Sequence, residues 1–205
     1  MKCFFNGKRV VKFLNSKGIV YGIPGNWDGG EAKFSFNKLK KEFHNFKDCH
    51  LRVVDVGDYS IIGYGFVNGV ELLRYRKYAG KKRRDYLKNY TIYRRLTGKF
   101  DKLFRKAKAR KKPIIFLCRT MPFNTRFDLI KNKKSPQHGM HLGSLIAPKM
   151  ILKYKPLLFI GGHMHEYFGK SRLGKTIIIA AGFGREKNTL VELDKDRIVN
   201  IKFKS

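Results

Sequence analysis

The stretch Leu157–Ala181, LLFIGGHMHEYFGKSRLGKTIIIAA, constrains the fold more than any other part of the chain. An apolar run, Leu157–Ile160, ends at Gly161-Gly162. Two histidines one residue apart, His163 and His165, follow, and a second apolar run, Thr176–Ala181, begins after a glycine-containing turn. Short apolar runs bounded by glycine predict buried strands. A Gly-Gly pair at a strand's carboxyl end lets the backbone turn without Cβ clashes. Two imidazoles presented from such a turn can face one metal ion, since imidazole is the commonest side-chain metal ligand. The same His-x-His also fits an ordinary surface loop, and the rest of the chain has to decide between them.

With 205 residues the chain suits a single domain with a sizeable core, and no internal repeat or linker divides it. A hydrophobic content of 42%, with 17 Phe and 10 Tyr, excludes a disordered chain. No apolar run reaches the ~18–20 residues that span a bilayer, and the N-terminus shows no signal-peptide pattern. Cys3, Cys49 and Cys118 are odd in number and show no paired spacing, so a reducing cytoplasm is expected. The net charge is +31, with an isoelectric point near 10.3. That excess favours polyanion partners through counterion release and steering, although a lysine-rich proteome would produce the same surplus.

From Lys8 to Lys17 the apolar residues Val10, Val11 and Leu14 fall at helical spacing, with Gly18 as a stop. Ile19–Ile23 then predicts a buried strand ending at Pro24-Gly25, and Gly25-Asn26-Trp27-Asp28 lies at its carboxyl end. Sites in open α/β sheets are built there, although Asn and Asp after Pro-Gly also suit plain turn chemistry. Leu51–Val56 and Ser60–Gly65 predict a hairpin around Gly57-Asp58-Tyr59. The segment from about Glu71 to Lys112 interleaves tyrosines with basic residues, and Leu96, Phe100, Leu103 and Phe104 form one apolar stripe. It fits a charged helix covering the sheet. It also fits a phosphate-backbone surface on which Tyr75, Tyr78, Tyr90 or Tyr93 stacks on bases. Pro113–Cys118 predicts another buried strand, Ser144 an N-cap for a helix over about 145–154, and Asn188–Leu193 with Arg197–Phe203 a closing hairpin.

These pieces together resemble the calcineurin-like metallophosphoesterase family, over about residues 8–200. The matching segments are Gly25-Asn26-Trp27-Asp28, Met121-Pro122-Phe123-Asn124-Thr125 with Asp128, and His141-Leu142-Gly143-Ser144. Gly162-His163-Met164-His165-Glu166, with Gly169 and Gly174-Lys175-Thr176, completes the set. The resemblance implies an α/β fold, a four-layer α/β/β/α sandwich, in which divalent ions of the Mn, Fe, Zn or Ni class activate water against a phosphoester substrate. It assigns metal ligation to Asn26, His163 and His165. Asp28 and Glu166 would hold imidazole or loop geometry.

The departures from the family pattern carry as much chemistry. The family opens with a strand bearing Asp-x-His and another bearing Gly-Asp-x-x-Asp. This chain is read as carrying neither anywhere, and so as a member lacking its first β-α-β unit. Arg119 stands where the family places a further metal-binding histidine; a guanidinium has no lone pair for a cation but can clamp a phosphate. Trp27 stands at the family's catalytic histidine position, and indole transfers no proton at neutral pH. No other residue offers itself as the catalytic group.

Two functional readings follow. One is a phosphoesterase by descent, impaired or inactive as an isolated chain and completed by a separately encoded β-α-β segment. The other is a non-catalytic scaffold that binds nucleic acid through the basic 71–112 region. On the first reading, a segment carrying Asp-x-His and Gly-Asp-x-x-Asp added in trans raises solubility and metal content. If both stay unchanged, the two-piece reading is wrong.

Overall fold

Apolar side chains alternate between the two sides of residues 53–64 and run continuously through 114–118 and 158–161, so strands there bury one face or both. The structure, a computed structural model, describes residues 2–25, 31–65, 70–74, 83–183 and 186–205. In chain order these form α1 (Lys2–Asn15), β1 (Val20–Gly22), α2 (Glu31–Glu42), β2 (Phe46–Asp48), β3 (Val53–Val56) and β4 (Tyr59–Tyr64). A 3₁₀ turn (Val70–Arg74) precedes α3 (Arg83–Ala109) and β5 (Ile114–Cys118). Then follow α4 (Ala147–Tyr154), β6 (Leu158–Gly161), β7 (Gly169–Leu173), β8 (Thr176–Ala180), β9 (Asn188–Asp194) and β10 (Arg197–Lys204).

A six-stranded sheet in the order β3-β4-β5-β6-β8-β7 organises the molecule. Its four inner strands are parallel, and the edge strands β3 and β7 run antiparallel to their neighbours. Parallel neighbours need long crossovers. Helix α3 serves β4 to β5, and a long loop with α4 serves β5 to β6. One sheet face (Ile62, Phe116, Phe159, Ile178) packs on Leu96, Phe100 and Phe104 of α3 and on Met150 and Ile151 of α4. The opposite face (Ile61, Ile115, Leu158, Ile179) packs on Leu193, Ile198 and Phe203 of the β9–β10 hairpin, on Tyr21 of β1 and on Ile23 just after it. The architecture is mixed α/β around this central sheet.

Aromatic geometry fixes α3 and α4 on the sheet. Phe104 meets Phe116 edge-on, with centroids 5.2 Å apart, and stacks on Tyr154 of α4 at 5.1 Å. Phe116 meets Phe159 edge-on at 5.3 Å. Offset and edge-on pairs put the positive ring edge against the negative ring face. Around this cluster Asp101 ties α3 to α4: its carboxylate accepts from Lys153 Nζ at 2.6 Å, from the Tyr154 hydroxyl at 2.5 Å and from Arg105. Those hydrogen bonds, Lys153's first, hold the Asp101 carboxyl down at about 2.

Several elements differ from the sequence expectation. The strand expected over Ile19–Ile23 shrinks to three half-buried residues paired in parallel with β2. Neither β2 nor α2 is visible as a periodic run, and β7 was hidden inside a glycine turn because its alternation is polar on both faces. The helix after Ser144 begins at Ala147, with Ile146 at the cap position and no side-chain cap. Ser144 Oγ still accepts from the amides of Ile146 and Ala147 at 3.3 and 3.2 Å, so it closes the preceding turn instead. Asn26, Trp27, Asp28, Tyr75 and Tyr78 lie outside the described residues.

Phe116 is fully buried among rings on two elements. Phe116→Ala is therefore expected to lower unfolding free energy by about 3–5 kcal/mol in urea titration. Val199→Ser, at a position 58% exposed on β10, is expected to change it by less than about 0.5 kcal/mol. Equal effects would contradict the described core.

Candidate functional site

Parallel pairing sets Cys118 of β5 opposite Gly161 of β6, and Gly161 opposite Ala180 of β8. The next residues therefore leave the sheet side by side at its carboxyl end. Arg119 donates its amide to Tyr64 O at 2.8 Å, extending the ladder by one residue. Across from it the chain turns sharply through Gly162 and His163, the latter at φ 68°, with Met164 N bonded to Gly162 O. Glycine is required at 161: a Cβ there would lie 2.6 Å from Met121 Sδ. Its absence lets the loop after β5 close over the loop after β6.

The outcome is a contact between Arg119 and His163. One Arg119 Nη lies 2.8 Å from Nδ1 and 2.9 Å from Nε2 of the imidazole. Burial, the Arg119 charge and His165 lower the His163 pKa to about 4, so the ring is neutral at pH 7. A guanidinium has only donors and a neutral imidazole only one acceptor nitrogen, so one of these two approaches is a hydrogen bond and the other a close contact. His165, beyond buried Met164, stacks on Phe183, with centroids 4.9 Å apart and planes 15° from parallel. Glu166 faces neither imidazole in its hydrogen bonds. Its oxygens accept from the amides of Lys131 and Asn132 at 2.7 and 3.3 Å, bracing the long loop after β5.

Asp128 proves more central than its place in the sequence suggested. Fully buried, it accepts from the amides of Asn124, Thr125 and Gly143 at 3.0, 2.8 and 3.0 Å. It also faces His141 Nδ1 at 2.8 Å. A buried carboxylate needs such a set of donors to offset lost hydration. Asp128 thereby fastens the Arg119-bearing loop to the 139–144 segment, and His141 packs against the Phe123 ring.

One Asp-x-His triplet does occur further along the chain: Asp48-Cys49-His50, at the carboxyl end of β2. Its side chains are engaged locally. Asp48 accepts from the His50 amide at 2.9 Å and pairs with Arg52, while His50 Nδ1 accepts from Gly65 N at 3.0 Å. Cys49 is buried, and burial pushes its thiol up to about 12, which leaves it inert.

The donor set can be tested against the metal pair that the resemblance implied. Among the described residues, no three His, Cys, Asp or Glu side chains converge as a metal site. A permanent cation lies within hydrogen-bond distance of the imidazole that would bind the ion. Hard divalent ions need anionic oxygens, and a guanidinium repels them. Among the described residues this donor set does not fit a two-metal centre.

Parallel strands bring their loops and the His-x-His turn to one carboxyl edge, the place where α/β sheets build sites. A family model, calcineurin-like phosphoesterase, matches residues 5–167, and the chain belongs to that family. The family generally uses divalent metals, and membership supports a phosphoesterase function. No curated protein matches the chain. Among solved structures, one crystal structure aligns with a TM-score of 0.59 at 15% identity, covering 96% of this chain and 70% of the other. The protein TT1561 of Thermus thermophilus aligns at 0.49 and 15% identity, over 89% and 70%. A "Putative 5'-Nucleotidase" from Staphylococcus aureus aligns at 0.51 and 13% identity, over 96% of this chain and 39% of that one. At these identities the first and third alignments speak to the fold alone. No helix among the described residues is long and apolar enough to cross a membrane.

The Arg119 contact makes the protonation state of His163 a readout. Its ring resonances are expected to titrate near pH 4 rather than near 6.5. In Arg119→Ala the midpoint rises, and desolvation keeps it below the unfolded value. Because the unfolded ring protonates first, this site subtracts stability as pH falls from about 6.5 to about 4, and no further below that. A midpoint above 6 in the intact protein would refute the contact.

Proposed function

We propose that this chain is a phosphoester-binding member of its family, with hydrolysis impaired by Arg119. The observation that carries this reading is the guanidinium against both ring nitrogens of His163. Arg119 is 9% exposed and sits at the carboxyl end of the parallel strands, where α/β sheets build their sites. A planar cation with several donors suits a phosphate's oxygens, and charge-assisted bonds of this type are about twice as strong as neutral ones. His163, neutral and in contact with that cation, keeps it oriented. Asp128 positions the loop through backbone amides, so the donors are held before a ligand arrives.

On this reading the phosphate is gripped without being cleaved rapidly. The ligand roles assigned to Asn26, His163 and His165 then require the cation to be withdrawn. Glu166 braces the loop after β5 in either state.

The test exchanges the cation for a donor. Arg119→His is expected to raise bound manganese or zinc, read by elemental analysis after dialysis, and to raise p-nitrophenyl phosphate hydrolysis at least about tenfold. Arg119→Ala is expected to weaken phenyl phosphate binding about tenfold, the scale of one charge-assisted bond. A wild-type protein that retains two metal equivalents and hydrolyses the ester no slower than Arg119→His would overturn the proposal.

A further inference from the structure

We propose that the cleft between α3 and the loop after β5 binds single-stranded nucleic acid, with bases on a tyrosine ladder and phosphates on the flanking cations. Tyr86, Tyr90 and Tyr93 recur on α3 at i, i+4 and i+7 and so share one face. The Tyr86 and Tyr90 rings lie 6.4 Å apart with planes 6° from parallel, and Tyr90 and Tyr93 follow at 6.2 Å. The core accounts for only part of this ladder: Tyr93 is half-buried against it, and Tyr86 is half-buried as well. The buried face of α3 is Leu96, Phe100, Phe104 and Ala107, whereas Tyr90 is 43% exposed.

The three rings line an open cleft of about 580 Å³, with Phe123, Arg74 and Lys149 among its other walls. Lys149 Nζ lies 4.9 Å from the Tyr93 centroid, and the Arg74 guanidinium 5.6 Å from that of Phe123. Exposed rings beside cations supply the two things a single strand offers, a π-face on each base and a charge between bases. Helix α3 itself carries ten Lys and Arg against Asp85 and Asp101, and Asp101 is already engaged by Lys153, Tyr154 and Arg105.

Two features favour a strand over the other polyanions. Bases in a duplex are already stacked on one another, so a ladder of exposed rings gains nothing from them. A mononucleotide would use one ring, whereas three are in sequence on a 27-residue helix about 40 Å long whose charge runs its whole length. Phe123 and Asn124 of the cleft belong to the loop that begins at Arg119 and is fastened by Asp128. The inference does not depend on hydrolysis at Arg119.

The test is fluorescence anisotropy with labelled 15-mers of oligo(U), oligo(dT) and a duplex, in chelator so that no ester is cleaved. Both single strands are expected to bind more tightly than the duplex, with affinity falling linearly in the logarithm of salt concentration. Tyr90→Ala is expected to weaken single-strand binding about tenfold. Tyr90→Phe should leave it unchanged, and circular dichroism should show both variants folded. Lys149→Ala should reduce the salt slope by about one. Equal affinity for duplex and single strand, or no loss when Tyr86 and Tyr90 are both alanine, would overturn the proposal in favour of bare charge attraction. Competition by uridine monophosphate as strong as by oligo(U) would overturn it in favour of a mononucleotide site. Phenyl phosphate binding through Arg119 is unaffected by any of these results, so the two proposals fail separately.

Discussion

The in-register parallel pairing of β5 with β6 governs what this molecule can do. Ile115 to Cys118 stand opposite Leu158 to Gly161, so the residues after each strand emerge as neighbours. Were the register to slip by one residue, every side chain of one strand would change faces and Phe116 would leave its ring cluster. The register is held because Phe116 and Phe159 must point to the helical face while Ile115 and Leu158 point to the hairpin face. A core-packing constraint thus decides that Arg119 meets His163, two residues far apart in sequence.

Close approach and satisfied burial then convert that adjacency into a defined rim. Gly161 permits the loop after β5 to lie against the strand, and Gly143 leaves room for the Asp128 carboxylate, which a Cβ would meet at 2.7 Å. Asp128 is tolerated in the interior only because three amides and a histidine nitrogen surround it. The loop it holds carries both Arg119 and Phe123, so one buried carboxylate supports that cation and a wall of the tyrosine cleft.

Family membership and local chemistry pull in different directions here. The frame is that of phosphoester hydrolases, and the His-x-His turn sits where such a frame presents ligands. Yet burial, and then the Arg119 cation beside it, depress the His163 imidazole pKa, and that cation opposes a metal ion. A side chain that follows a strand end directly can set the charge of such a site without belonging to the core packed beneath it. The basic surface of α3 is a second and separate expression of the same surplus charge.

The strands with continuous apolar runs, 114–118 and 158–161, and the amphipathic stripe of α3 were legible in the sequence because burial imposes a period. The motif residues Asp128 and His141 were visible as such, but their pairing was not. Their contact spans a loop without periodicity, and it follows from where the sheet delivers the chain. β7 and β2 escaped notice, and β1 was expected longer and more buried than it is, because short, half-buried strands carry too few apolar positions to declare a period. By itself the sequence determined the class of fold, the charge and the residue types available for chemistry, all of which reside in local pattern and composition. Tertiary structure alone decided that Arg119 faces His163, that Glu166 braces a backbone, and that three tyrosines open onto a cleft, because contacts across strands depend on register and packing rather than on neighbours in the chain.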